Sequence, residues 1–202
     1  IVFPGGVGTA EEILYILGIL LHPDNANMPF PLIFTGPASS AEYFVRIDQF
    51  IAATLGAEAQ QHYQIIIDEP TKVARTMEAG IKKVRAFRKE HGDAYYFNWL
   101  LKIDHELQQP FVPTHEAMHA LQLDQGQSLH QLAANLRRAF SGVVAGNVKE
   151  QGIRAIDQFG PFEIHGERAI MQSMDALLRS FVEQSRMKLP GTAYTPCYRI
   201  VQ

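Results

Sequence analysis

The chain opens with the stretch that decides its fold, Ile1-Val2-Phe3-Pro4-Gly5-Gly6-Val7-Gly8-Thr9-Ala10-Glu11-Glu12. It has the pattern of a buried strand end, a glycine-rich turn and a helix start. Glycine allows backbone conformations and close approaches that a side chain would block. The N-terminus of the following helix presents unpaired N–H groups and a partial positive charge, which together favour an anion. The stretch therefore predicts a site for a small molecule that carries a phosphate.

Single residues exclude two better-known phosphate loops. The dinucleotide fingerprint needs Gly or Ala where this chain has Glu11. A P-loop needs a Lys after the glycines, and residues 1–45 contain neither Lys nor Arg. A bound phosphate must rely on backbone N–H groups, the Thr9 hydroxyl and the helix dipole, or on a cation from elsewhere. A reading without any ligand also stays open, because Thr9 and Glu12 have the spacing of a capping box.

Short apolar runs alternate with helical patterns as far as about residue 90. The runs predict strands at 1–3, 31–35 and 64–67, and the helical patterns cover about 9–21, 41–55 and 71–90. This order, with short connections, predicts a parallel α/β layer. Beyond about residue 92 helices dominate, at about 114–123, 128–144 and 167–187, with β-like pieces at 162–165 and 198–201.

Composition narrows the class of protein. The 202 residues are 47% hydrophobic and 19% charged, as in a folded globular chain, and the net charge of −3 gives no electrostatic case for binding nucleic acid or a membrane surface. The longest strongly apolar stretch, Ile13–Leu21, is too short to span a bilayer. The only cysteine, Cys197, excludes an internal disulfide framework. We expect a cytoplasmic protein.

The glycine-rich run carries a specific family resemblance. Pro4-Gly5-Gly6-x-Gly8-Thr9-x-x-Glu12 matches the PGGxGTxxE signature of the LOG family, phosphoribohydrolases that are often mislabelled as lysine decarboxylases. Phe34-Thr35-Gly36, Tyr43-Phe44 and Ile66-Ile67-Asp68-Glu69-Pro70 are similar to later strands and helix starts of that family. The second half, from about Tyr95, resembles the C-terminal extension of the family's long bacterial branch, the pyrimidine/purine nucleotide 5′-monophosphate nucleosidases.

This resemblance implies a fold in two parts. Residues 1–92 would form the C-terminal part of a Rossmann-like nucleotide-binding and catalytic domain that lacks its N-terminal strands. Residues 93–202 would form a mainly helical (α+β) C-terminal domain. The family also uses an arginine upstream of the motif, so we expect the active site of these 202 residues to be incomplete.

The resemblance also implies a reaction, hydrolysis of the N-glycosidic bond of a nucleoside 5′-monophosphate to free base and ribose 5-phosphate. Glu12 is implied as the catalytic carboxylate, which stabilises an oxocarbenium-like transition state and positions water. Gly5, Gly6, Gly8 and Thr9 would hold the phosphate, and Glu11 is a second candidate for binding the sugar. No metal or organic cofactor is needed. The family suggests a homo-oligomer, a dimer or larger.

Two other features of the second half and of the helix before it have alternative readings. His115-Glu116-Ala117-Met118-His119 matches HExxH, the helix motif of zinc peptidases, with Glu150 or Glu163 as a third ligand. The cations Lys82, Lys83, Arg85, Arg88 and Lys89 crowd a helix end, where they complement the dipole or bind an effector such as guanosine tetraphosphate. The alternatives to a nucleosidase are thus a non-catalytic nucleotide-binding or regulatory module, and an HExxH zinc hydrolase.

Overall fold

The computed structural model of the chain describes residues 1–92, 101–187 and 194–201. Its helices are α1 (Val7–Leu20), α2 (Ala41–Gln60), α3 (Pro70–Glu90), α4 (His105–Gln108), α5 (His115–His119), α6 (Leu129–Val148), α7 (Glu150–Phe159) and α8 (Arg168–Glu183). Its strands are β1 (Ile33–Gly36), β2 (Gln64–Ile67), β3 (Phe162–Ile164) and β4 (Tyr198–Ile200). None of the helices in the described ranges is both long and apolar enough to cross a membrane.

The first half forms the predicted parallel α/β layer. Strands β1 and β2 pair in parallel, from Ile33 opposite Gln64 to Gly36 opposite Ile67. The predicted strand at residues 1–3 is reduced to a parallel bridge between Val2 and Phe34. The Val2 N–H donates to the Ile33 carbonyl at 2.8 Å, so the chain start lies beside β1, on the side away from β2. All three extended segments therefore point their carboxyl ends in the same direction.

The two faces of this layer are covered by different helices. Ile33 and Ile66 pack with Val73 of α3 in one small apolar cluster. On the other face, the ring of Phe34 stacks on Phe44 of α2 and on Tyr63, with centroids 5.7 and 4.4 Å apart. Since β1 is buried from both sides, it has the continuous apolar character of a strand in an α/β protein.

A single apolar core joins the two predicted halves. Leu14 and Leu17 of α1 belong to the same buried cluster as Leu132 and Leu136 of α6. Gly18 lies at the contact between α1 and α6, where a Cβ would be 3.7 Å from the Ala133 Cβ, an ordinary van der Waals distance. Helix α2 packs in a similar way against α8. The boundary at 92/93 stays a prediction, but the described parts on either side of it share a core.

The second half adds a small parallel pair of its own. Strand β3 pairs with β4, with Phe162 opposite Tyr198 and Ile164 opposite Ile200. Cys197, just before β4, is buried, and this burial raises the pKa of its thiol to about 12. A buried thiol with a raised pKa is typical of a structural cysteine.

The sequence patterns missed α7 and misjudged the length of α5. Helix α7 was not predicted because it contains Gly152, and glycine is unfavourable inside a helix. In the structure, a Cβ at Gly152 would overlap the Ala145 carbonyl of α6. Packing between the helices therefore requires this glycine. Helix α7 ends at Gly160, whose φ of 84° suits glycine. Helix α5 covers only His115–His119, where the pattern predicted a helix over about 114–123.

Candidate functional site

The glycine loop lies at the carboxyl end of the parallel layer, beside the end of β1. A Cβ on Gly36 would be 3.1 Å from the ring of Pro4, so the two turns are in close contact. Asp68, at the end of β2, donates its backbone N–H to the Gly36 carbonyl at 2.9 Å. In open α/β sheets ligands bind outside the carboxyl ends of the strands. The loop therefore occupies the binding edge of this layer.

Helix α1 begins directly in the loop. Its N-cap is Gly6, no side chain caps it, and the Thr9 and Ala10 N–H groups both reach the Gly6 carbonyl, at 3.1 and 3.3 Å. Thr9 thus lies inside the first turn, so the capping-box reading of Thr9 and Glu12 is wrong. A helix start without a side-chain cap leaves N–H groups for an anion.

Two of the motif glycines are required by contacts that leave no room for a side chain. A Cβ on Gly5 would overlap the Thr9 hydroxyl, which lies over the loop backbone. A Cβ on Gly6 would lie 2.6 Å from the carbonyl oxygen of Arg186. Gly8 is less crowded, since its nearest neighbour would be a Val144 methyl at 4.0 Å. The loop is therefore packed from the inside by Thr9 and from the outside by the segment after α8.

That segment supplies the cation that the first 45 residues lack. After α8 the chain turns through Ser185, whose φ is 57°, and this turn brings Arg186 to the loop. The Arg186 guanidinium donates to the Gly5 carbonyl at 3.4 Å and lies 4.7 Å from the centre of the Tyr43 ring. No sequence pattern links residue 186 to the motif, so this contact could be found only from the fold.

Tyr43, at the start of α2, contributes a buried hydroxyl beside the loop. Its side chain is 1% exposed, and its oxygen has no hydrogen-bond partner of good geometry among the described residues. Burial raises the pKa of this phenol, although the Gly5 backbone and Arg186 act to lower it. The hydroxyl therefore stays protonated at neutral pH. A buried donor without a partner costs about 1–3 kcal/mol, and a ligand oxygen at the loop could recover part of it.

The neighbouring carboxylates Glu11 and Glu12 have different environments. Glu11 is partly buried against α6, with its Oε1 3.8 Å from the Arg137 Nε. Burial raises the pKa of Glu11, and the Ser141 hydroxyl and the Arg137 charge only partly offset this effect. Glu12 is exposed at the surface of the first turns of α1. The prediction that Glu11 binds the sugar stays untested, although its carboxylate already has partners within the protein.

The HExxH motif has the expected helix start but not the surroundings of a zinc site. Thr114 caps α5 by accepting the Ala117 N–H at 3.0 Å. The two histidines make separate contacts: His115 Nε2 is 2.8 Å from the Gly160 carbonyl, and His119 Nδ1 is 3.8 Å from Glu163 Oε2.

Both proposed third ligands already pair with an arginine. Glu163 pairs with Arg199, and Glu150 pairs with Arg154. In the described parts of the chain, the His, Asp and Glu side chains that come together in metal-binding geometry do not include the HExxH residues. The structure therefore gives no support to the HExxH zinc hydrolase.

The parallel layer and its glycine loop make the first half of the chain part of a Rossmann-like domain. Residues 81–201 match the family model described as "Pyrimidine/purine nucleotide monophosphate nucleosidase, C-terminal", and residues 1–77 match the model "Possible lysine decarboxylase". The chain belongs to the pyrimidine/purine nucleotide monophosphate nucleosidase family.

Similar proteins carry the same family name. Proteins from Escherichia coli strain K12 and from E. coli O157:H7, each named pyrimidine/purine nucleotide 5′-monophosphate nucleosidase, are 57% identical to this chain over 200 residues. The alignment covers 99% of this chain and 44% of each relative, so the chain spans less than half of the length of these relatives.

Proposed function

We propose that the protein hydrolyses the N-glycosidic bond of nucleoside 5′-monophosphates and releases free base and ribose 5-phosphate. The observation that carries this proposal is the uncapped start of α1 in the PGGxGTxxE loop, with the Arg186 guanidinium and the Tyr43 hydroxyl beside it. The relatives' name, pyrimidine/purine nucleotide 5′-monophosphate nucleosidase, supports the same activity.

The loop binds the 5′-phosphate in this proposal. Backbone N–H groups at Gly5, Gly6 and Gly8 and the Thr9 hydroxyl surround the phosphate, and the dipole of α1 adds a favourable field. Arg186 supplies the positive charge that the first 45 residues do not contain. The resulting binding site resembles other phosphate sites, in which backbone N–H groups make most of the hydrogen bonds and one cation neutralises part of the phosphate charge.

Glu12 is the proposed catalytic carboxylate. As the bond between C1′ and the base nitrogen breaks, positive charge develops on the ribose ring, and a fixed carboxylate stabilises it. The oxygen of a water molecule then bonds to C1′, and the leaving base takes up a proton. Glu12 is one turn away from the loop along α1 and exposed, so it is accessible to a ribose whose phosphate lies in the loop.

Glu11 has a supporting role in the proposal. Its carboxylate faces α6, where Arg137 and Ser141 lie, and this contact ties the first turns of α1 to the second half of the chain. We infer that it fixes the orientation of α1, while binding of the sugar falls mainly to Glu12.

Substitution of Glu12 tests the activity. The complete protein is incubated with AMP, GMP, CMP and UMP, with and without chelator, and free base is measured. We expect Glu12→Gln to abolish base release and to leave nucleotide binding measurable, whereas Glu58→Gln, at an exposed site on α2, should behave like wild type. Normal ribose 5-phosphate release by Glu12→Gln would contradict the assignment. Binding without turnover by the wild type would favour the non-catalytic regulatory module.

We also propose an effector site on α3 for guanosine tetraphosphate or a similar polyphosphate. Lys82, Lys83 and Lys89 are exposed near the C-terminal end of this helix. Lys82 also pairs with Glu78 at 2.7 Å, which agrees with the alternative of a solvated helix surface. Isothermal titration of the complete protein distinguishes the two. Heat of binding of guanosine tetraphosphate to wild type that is lost in the double variant Lys83→Glu/Lys89→Glu supports the site. The absence of heat with wild type contradicts it.

A homo-oligomer and a cytoplasmic location complete the proposal. Exposed apolar side chains on the second half, among them Val112, Val148 and Phe159, favour contact with another copy. Light scattering of the complete protein should give the mass of a dimer or a larger assembly, and a monomer at micromolar concentration would contradict this part of the proposal. Fractionation of cells tests the location.

A further inference from the structure

Three side chains from separate parts of the chain meet at the C-terminal end of α1. His22 follows α1, Asp104 precedes α4, and His130 lies in the first turn of α6. One nitrogen of each histidine and a carboxylate oxygen of Asp104 all lie within 4.8 Å of one another. We propose that His22, Asp104 and His130 bind a Zn²⁺ ion that fastens α1 to α6. This proposal does not depend on the nucleosidase activity.

The distances suit metal ligands better than hydrogen bonds. His22 Nε2 is 3.3 Å from Asp104 Oδ1, and His130 Nε2 is 3.4 Å from Asp104 Oδ2. Hydrogen bonds between a charged nitrogen and a carboxylate are shorter, about 2.7–2.9 Å. Zinc lies about 2.0–2.2 Å from nitrogen and oxygen ligands, so neighbouring ligands of a tetrahedral ion are about 3.3–3.6 Å apart. The two histidines approach different oxygens of Asp104, and the single ligand atoms of the three residues lie within 4.8 Å of one another. A small rotation of the carboxylate and a closing movement of the two rings, whose centroids are 5.0 Å apart, complete this geometry.

The surrounding structure holds Asp104 in place. Asn25 is buried, and its amide donates to the Ile19 carbonyl at 2.6 Å and to the Lys102 carbonyl at 2.7 Å. The Lys102 N–H donates back to the Asn25 side chain at 2.7 Å. The Asp104 carbonyl accepts the Leu107 N–H at 2.9 Å, at the start of α4. The segment that carries Asp104 is thus fixed to the end of α1 before any metal binds.

Asp24 lies close enough to His22 to support this histidine once zinc is bound. Without metal, His22 Nδ1 accepts the Asp24 N–H at 3.1 Å, so the proton is on Nε2. Coordination through Nε2 requires the proton to move to Nδ1, which breaks this hydrogen bond. The Asp24 carboxylate, whose Oδ2 is 3.9 Å from Nδ1, must then move closer to accept the Nδ1 proton. A carboxylate that orients a metal-bound imidazole in this way is common in zinc proteins.

The ligand set and its burial favour a structural zinc ion. Two imidazoles and one carboxylate suit Zn²⁺, whereas Mg²⁺ and Ca²⁺ prefer oxygen ligands throughout. The side chains of His22 and His130 are 14% and 15% exposed and that of Asp104 is 31% exposed, so water can reach the fourth position. The site is about 21 Å along α1 from the glycine loop, too far to touch a nucleotide there. Its role is therefore to stabilise the fold.

Zinc titration of the complete protein, stripped of metal with a chelator and then dialysed, tests the proposal. We expect one Zn²⁺ per chain by isothermal titration and by elemental analysis, and a higher melting temperature with zinc. Cobalt substitution should give the intense visible absorption of a tetrahedral site. The variants are Asp104→Asn and the double variant His22→Gln/His130→Gln, which keep side-chain size. Both should lose the bound equivalent and the thermal shift.

The matched control is His115→Gln/His119→Gln, which removes the HExxH histidines and should keep the zinc. Asp24→Asn should weaken zinc binding by about 10-fold, as expected for a group that supports a ligand. Circular dichroism identifies any variant that fails to fold. If a ligand variant does not fold, the zinc affinity of Asp24→Asn is compared with that of wild type instead. The proposal is overturned by a wild-type protein that binds no zinc, by equal binding in the ligand variants, or by loss of zinc in the HExxH control.

Discussion

The two ends of α1 carry sites of very different kinds. At its N-terminal end, a contiguous motif from Pro4 to Glu12 forms the glycine-rich loop at the edge of the parallel layer, where we propose that the phosphate binds. At its C-terminal end, His22 meets Asp104 and His130, which lie far away along the chain. The first site is visible in the sequence because its donors are backbone groups of neighbouring residues. The second exists only because α4 and α6 are packed against the end of α1.

The glycine-rich loop, although contiguous in sequence, also receives contacts from a residue far away along the chain. The carbonyl of Arg186 contacts Gly6 and its guanidinium contacts Gly5, although the residue follows α8. At the opposite end, Asn25 fixes the segment of Asp104 by hydrogen bonds to Lys102. Each end of α1 therefore depends on contacts with the second half of the chain. Substitutions at one end should change the measured property of that end and leave the property of the other end close to that of wild type.

The largest effect is expected at the C-terminal end, from Asn25→Ala. This change removes the three hydrogen bonds of the buried Asn25 side chain, two to Lys102 and one to Ile19. At about 1 kcal/mol for each bond, the free energy of unfolding should fall by about 3 kcal/mol. Chemical denaturation of the complete protein measures this loss. Zinc binding should weaken as well, while nucleotide affinity under native conditions should stay close to that of wild type.

Asn147→Ala is the matched control for this prediction. Asn147 makes one side-chain hydrogen bond, to the Val143 carbonyl at 2.8 Å within α6, so its loss should cost about 1 kcal/mol. Equal destabilisation by the two variants would mean that Asn25 does not anchor the segment of Asp104.

At the N-terminal end, Arg186→Ala should weaken nucleotide binding. A hydrogen bond to a charged group contributes about 1.5–3 kcal/mol, so we expect affinity for AMP to fall by about 10- to 100-fold. Stability should change less, because the hydrogen bond from the guanidinium to the Gly5 carbonyl is long, at 3.4 Å. Isothermal titration measures the affinity, and Arg186→Lys should recover part of it by restoring the charge.

The comparison variant is Arg179→Ala on α8. Arg179 is exposed and pairs with Asp175 at 2.7 Å, one turn earlier on the same helix. Its removal should leave AMP affinity unchanged. If both arginine variants weaken binding to the same extent, the effect reflects the overall charge of α8 and its surroundings, and Arg186 has no special role at the loop.

Local patterns predicted the parallel layer and the position of the glycine loop. The alternation of apolar strands and amphipathic helices depends on neighbouring residues, so β2 was predicted with its observed limits and α3 to within one residue at its start. The capping-box reading failed because the loop extends α1 back to Val7, which moves Thr9 into the first turn. The N-cap of α1 is Gly6, and a glycine has no side chain from which a cap could be predicted.

The features that sequence reasoning missed all depend on contacts between distant segments. Helix α7 was overlooked because Gly152 has low helix propensity, and its need for close packing against α6 is not visible locally. Arg186 and Tyr43 reach the loop through the packing of α8 on α2. The HExxH match predicted a metal site from the sequence. The cluster of His22, Asp104 and His130 matches no sequence motif, because its residues are far apart along the chain. Spacing along a helix predicts which residues share a face, and only the tertiary fold supplies the remaining ligands.

The smallest expected effect concerns Glu11, which lies between the two ends. Burial raises the pKa of Glu11, so the folded protein holds this proton more strongly than the unfolded chain does. Wild-type stability should therefore fall as the pH rises from 4.5, the ordinary value of the group, through its raised folded-state pKa. Glu11→Gln removes this dependence. Relative to wild type, the variant should gain stability across that pH window and then level off, by less than about 1 kcal/mol.

Arg137→Met tests the cause of that shift. The Arg137 charge lowers the pKa of Glu11 and so opposes the effect of burial. Without it, the pKa of Glu11 should rise further, and the fall of stability with pH should become steeper and extend to higher pH. Urea denaturation at a series of pH values measures both variants. A Glu11→Gln variant that loses stability relative to wild type as the pH rises would show that pairing with Arg137 outweighs burial, and Glu11 would then be an ion-pair anchor for α6.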